Sequence, residues 1–163
     1  MSELVSRLAV QQLRNLMFPA LPPDIQSKFP QISDPIVAGD NQVPNIVVGQ
    51  FQDFGANPAT PMIAVYCEGA AEGLVNVYRH ITMHVEPWVP APTPGPNADA
   101  RRFLSILYEY IFRSLQNVNW SGQQVRIERC YEIERSPILF EPQNKIYHLS
   151  IAFRVEALSL AWY

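Results

Sequence analysis

Two periods of apolar residues alternate along this chain, one helical and one of two residues, and each change of period marks an element boundary. Over residues 2–17, Val5, Leu8, Ala9, Leu13 and Leu16 share one side at helical spacing, while Glu3, Arg7 and Arg14 lie elsewhere. This predicts a helix that ends at Phe18-Pro19, because the residue before a proline is disfavoured in the α region. A proline-punctuated segment follows over residues 20–61, with one strand candidate, Ile46-Val47-Val48, just before Gly49. Residues 62–67 read as a short apolar strand and 69–73 as a turn. Over 74–86, Val75, Val77, Ile81, Met83 and Val85 alternate with Asn76, Tyr78, His80, Thr82 and His84, which predicts a long half-buried strand and a hairpin with its predecessor. Arg79 interrupts its apolar face and predicts a bulge, or a point where the strand leaves the core.

Residues 87–96 hold five prolines and read as a second extended stretch. Asn97 is placed to cap a helix over residues 98–118. At about 100° per residue, the apolar stripe from Phe103 to Val118, with Leu107, Tyr108, Tyr110 and Ile111 along it, covers roughly 160°, wider than packing on one sheet requires. Asp99, Arg102, Glu109 and Arg113 form the opposite, solvated face. A turn at 119–124 leads to a strand over 125–134 with Val125, Ile127, Tyr131 and Ile133 inward. A loop over 135–145 separates it from a strand over 147–155 with Tyr147, Leu149, Ile151, Phe153 and Val155 inward. Strands in pairs around a helix predict one α+β domain, an antiparallel or mixed sheet with two main helices packed on it.

Composition adds a second theme. Of 163 residues, 48% are hydrophobic and 17% charged, against about 25% charged in typical domains, so apolar surface is in excess of what a solitary monomer needs. Eight of the 15 prolines lie between Pro19 and Pro61 and five between Pro87 and Pro96. Aromatic and β-branched residues are interleaved with them, which predicts ordered arms that lie against something. Trp88, within Pro87-Trp88-Val89-Pro90, is the leading interface candidate, because tryptophan is enriched at hot spots. Pro94 and the aromatic end Trp162-Tyr163 join it; the alternative for Trp88 is a tryptophan that covers its own core.

Charge and candidate chemistry narrow the function classes. A net charge of −3 with only two lysines argues against a phosphate-neutralising surface. No apolar run reaches the ~18 residues of a membrane span, and residues 1–17 hold no apolar signal core, which predicts a cytoplasmic start. The seven glycines form no phosphate-cradling pattern. His80 and His84 share a strand face but lie about 13 Å apart at ~3.3 Å per residue, too far for one metal with ligands near ~2.1 Å. Cys130 reads as a plain strand residue on a face with Glu128, Glu132 and Glu134. Neither a metal nor a cofactor is expected, and no enzymatic activity.

The layout resembles the tail-terminator and tail-completion proteins of tailed phages, the small subunits that form a ring where tail meets head. The resemblance lies in the N-terminal helix, the stretch ending Asn57-Pro58-Ala59-Thr60-Pro61 before Met62-Ile63-Ala64-Val65, the long strand to Glu86, the helix over 98–118, and the closing strand His148-Leu149-Ser150-Ile151-Ala152-Phe153-Arg154-Val155. It covers most of the chain from about Leu4 onward. It implies a virion neck subunit, usually a hexameric ring, that stops tail-tube polymerisation and meets the tail tube protein and the head-side connector. The same resemblance makes DNA a passing cargo only. A neighbouring neck connector, a monomeric peptide-binding adaptor and a small enzyme with an unrecognised site are the competing readings.

Overall fold

A computed structural model describes residues 2–30, 45–56, 58–68, 78–92, 96–116 and 119–160. The expected turn at 69–73, the strand start with Val75, Asn76 and Val77, and Pro94, Val118, Trp162 and Tyr163 lie outside these residues. The first helix, α1 (Ser2–Gln12), buries Val5, Ala9 and Val10. It does not stop at Phe18-Pro19. It runs through a π-helical turn, Leu13–Met17, into α2 (Phe18–Ala20), where the Phe18 N–H donates to the Leu13 carbonyl five residues back. Proline has no N–H to give, and its ring crowds the carbonyl four residues earlier; the wider turn relieves that crowding. The extra residue in the turn also advances the helix phase. Met17 is therefore fully buried, and Leu16, expected inside, is 50% exposed.

The segment expected to be extended after Ala20 contains a further short helix, α3 (Pro23–Gln26), with Pro23 at a helix-start position where its missing N–H costs nothing. Leu21, Ile25 and Phe29 are buried in the chain's main core. The long helix α4 (Asn97–Leu115) begins one residue before its expected start. Pro96, in an extended conformation, is the cap, and Asn97 is the first helical residue with no capping role. Phe103, Leu104, Leu107, Ile111 and Leu115 are buried, while Tyr108 and Tyr110 are half-buried at the margins of the stripe.

Seven strands form one mixed sheet: β1 (Ile46–Val48), β2 (Met62–Cys67), β3 (Tyr78–Pro90), β4 (Val125–Arg135), β5 (Leu139–Glu141), β6 (Ile146–His148) and β7 (Ile151–Ser159). β1 runs parallel to β2, and β2 pairs antiparallel with β3 as the hairpin expectation requires. On its other side β3 pairs first with β7 and then, near its end, with β6, in one unbroken register. β4 lies outside β7 and β5 outside β6. Both helices pack on one face of this sheet, so the α+β expectation holds.

Three details of the sheet depart from the sequence reading, each for a backbone reason. β3 does not end at Glu86 but continues through Pro87, Trp88, Val89 and Pro90. Pro87 offers no N–H, and opposite it, at Leu149 and Ser150, the neighbouring strand is interrupted and divides into β6 and β7. Arg79 carries no bulge and faces Ala157 in regular register. The bulges lie in β4, where Ile127 faces Ala157 but Arg129 faces Glu156, and Glu132 faces Phe153 but Glu134 faces Ala152. Each extra residue flips the side-chain phase. Cys130 is therefore buried among apolar residues, away from the carboxylates expected beside it, and Ile133, expected inward, is 45% exposed.

The main core lies between the helices and the sheet, with Phe153, Leu104, Leu107, Met83 and Leu13 among its fully buried members. A second, smaller cluster lies on the sheet's opposite face: Val47, Phe51, Met62, Ala64, Trp88 and Ile146.

Candidate functional site

The smaller cluster is built by a tight turn. Gly49, at φ 132°, adopts a backbone conformation that favours glycine, and a Cβ there would meet the Phe54 ring at 3.1 Å. The chain then coils into a 3₁₀ turn, Phe51–Phe54, closed by a capping box in which the Gln50 N–H donates to Asp53 Oδ2 at 2.9 Å. This turn lays Phe51 flat on Trp88, with centroids 4.0 Å apart and planes 7° from parallel. His148, from β6, stacks on Trp88 as well, at 3.8 Å and 10°. Trp88 is thus 6% exposed, and its Nε1 has no hydrogen-bond partner among the described residues.

Beside this stack opens a cleft of about 570 Å³ lined by Phe51, Trp88, Phe140, Glu141, Asn144 and His148, among others. Burial pushes the His148 pKa below its ordinary value, against a weaker opposite pull from Glu86 and Glu141. His148 is therefore neutral at pH 7 and does not offset those carboxylates. On the cleft's outer wall stands β5, whose Leu139 and Phe140 are 45% and 48% exposed.

The three outer edges of the sheet differ. At β1, the Arg14 guanidinium donates to the Ile46 carbonyl at 2.8 Å. At β4, Ser121 Oγ accepts from the Ile127 N–H at 2.7 Å and Gln116 Oε1 from the Glu132 N–H at 2.9 Å. These side chains occupy backbone groups that another strand would need. Among the described residues, no side chain does so at β5, which lies between Pro137 and Pro142.

Of the residues singled out in the sequence, Pro87, Trp88 and Val89 are buried, and Pro90 alone of that group is exposed. Trp88 covers its own chain's core, the alternative weighed against an interface anchor. The histidines do not converge. His80 Nδ1 lies 3.9 Å from Glu156 Oε1, His84 Nε2 lies 2.8 Å from Glu68 Oε1, and His148 belongs to the tryptophan stack. Among the described residues no group of three or more metal-ligating side chains occurs. Burial pushes the Cys130 thiol up to about 12 and the Cys67 thiol up to about 11, so neither is a ready thiolate. Tyr66 stacks on His84 at 4.9 Å and donates to Glu86 Oε1 at 2.9 Å, and burial chiefly, with Glu86, raises its pKa.

Phe51, Phe140 and His148 were not foreseen as a group. The signal for Phe140 was the apolar triplet Ile138-Leu139-Phe140 enclosed by two prolines. No described helix is long and apolar enough to cross a membrane. No protein-family model matches the chain, and no curated protein matches it.

Proposed function

We propose that the chain is a structural subunit that works by docking to other protein chains and carries out no chemistry, as a ring component of a tailed-phage neck. The observation that carries the docking reading is the pair of exposed apolar side chains at the β5 edge, Leu139 on the face of the Trp88 cleft and Phe140 on the other, packed on Tyr147. β5 is short and flanked by Pro137 and Pro142, which limits how much strand it can template, so the exposed side chains rather than the edge length support docking. The raised thiol pKa values and the dispersed histidines fit a non-catalytic role. The neck assignment is supported by the layout resemblance: an N-terminal helix, a mixed sheet with a second long helix on the same face, and a long closing strand.

In this role the subunit forms a closed ring that caps the tail tube and presents a surface to the head-side connector, inside a virion assembled in a bacterial cytoplasm. Negative-stain electron microscopy of the purified chain tests the reading. Rings of uniform diameter are the expected image; a field of single small particles at every concentration sinks it.

A further inference from the structure

We propose that the β5 edge and the adjoining Trp88 cleft form a seat for an extended, basic segment of a different protein, which adds a strand to β5 and places one apolar side chain in the cleft. The proposal rests on the docking reading above and names the partner's chemistry. Its first support is the difference between edges. A strand's outer N–H and C=O groups call for another main chain, and pairing an extended segment onto such an edge is a common recognition mode. At β1 and β4 those groups are engaged by Arg14, Ser121 and Gln116. At β5 they are not.

The second support is the cleft. Side chains alternate along an added strand, so one residue of the incoming segment faces the cavity between Phe51 and Leu139. Trp88, whose ring faces are covered by Phe51 and His148, forms the floor of that cavity, and its buried Nε1 has no acceptor among the described residues.

The third support is charge. Glu141 lines the cleft, and Glu86 and Glu141 both act on His148. Against these two carboxylates stand Lys145, in the turn between β5 and β6, and a histidine whose pKa burial lowers. Lysine or arginine in the incoming segment complements this rim. A second copy, with a net charge of −3, complements it poorly.

The test uses the full chain labelled with nitrogen-15 and two nine-residue probes, one alternating lysine and valine, the other glutamate and valine. With the lysine–valine probe, the amide resonances of residues 139–141 and the Trp88 indole N–H shift together and saturate. The glutamate–valine probe binds at least roughly tenfold more weakly. Phe140→Pro, which removes the edge N–H, abolishes the shifts. Glu141→Lys leaves the fold intact and reverses the order of the two probes. Absence of shifts up to about 1 mM probe overturns the proposal, as does an order of probes that Glu141→Lys leaves unchanged. Shifts of the same resonances on raising protein concentration without probe assign the edge to a second copy and overturn it too. Each of these failures leaves ring formation, read by microscopy, as a separate result.

Discussion

Trp88 lies flat between two rings from distant parts of the chain, and its contact with His148, centroids 3.8 Å apart and planes 10° from parallel, ties the end of β3 to β6. The same residue takes Phe51 on its other face. A tryptophan between two prolines has become the keystone of the smaller core, and the chain around it is a strand and not an arm. Trp88→Ala removes both stacks and leaves a void. The expected loss is about 3–5 kcal/mol, read from the urea midpoint of the isolated chain. An unchanged midpoint means the ring contributes nothing to its own fold.

The His148 side of that stack gives a pH dependence. Its folded pKa is depressed by burial, so the unfolded chain binds the proton more readily. Stability is full above the unfolded value of about 6.5 and falls as pH drops through it. Thermal midpoints measured from pH 7.5 down to pH 5 in wild type and His148→Phe should diverge, with the wild type falling more steeply. Parallel curves contradict a half-buried His148 with a lowered pKa.

Leu107 sits in the middle of the α4 stripe and is fully buried against the sheet. Leu107→Ala is expected to cost about 2–5 kcal/mol in a denaturant titration. A loss under about 1 kcal/mol removes the stripe from the core.

Cys130 is buried, with its thiol pushed up to about 12. A thiol reagent at pH 8 should leave it unmodified in the folded chain and label it fully after unfolding. The comparison is made in a Cys67→Ser background so that one thiol is counted. Rapid labelling of the native protein shows instead that β4 opens or that Cys130 faces out.

The larger elements were legible because they obey simple periods. Met62–Cys67, the alternation of Ile81, Met83 and Val85, and the stripe of α4 follow directly from the spacing of apolar residues. What escaped depends on backbone irregularities that spacing does not carry. The π-helical turn at Leu13–Met17 exchanged Met17 for Leu16, and two bulges in β4 exchanged Cys130 for Ile133. Proline misled twice in the same way: Pro23 starts a helix, and Pro87 sits inside a strand whose neighbour keeps only a long hydrogen bond there, from the Leu149 N–H to the Pro87 carbonyl at 3.4 Å. The site was half legible. Trp88 stood out by its type, but its partners Phe51 and His148 come from segments 37 and 60 residues away, and only the tertiary fold unites them.

Ring assembly is the central claim, and native mass spectrometry of the full chain measures it most directly. One discrete multiple of the 18.5 kDa chain, six copies by the family resemblance, is the result expected of a closed symmetric assembly. A spectrum holding only the 18.5 kDa chain at every concentration, or an open ladder of sizes without a preferred number, contradicts it.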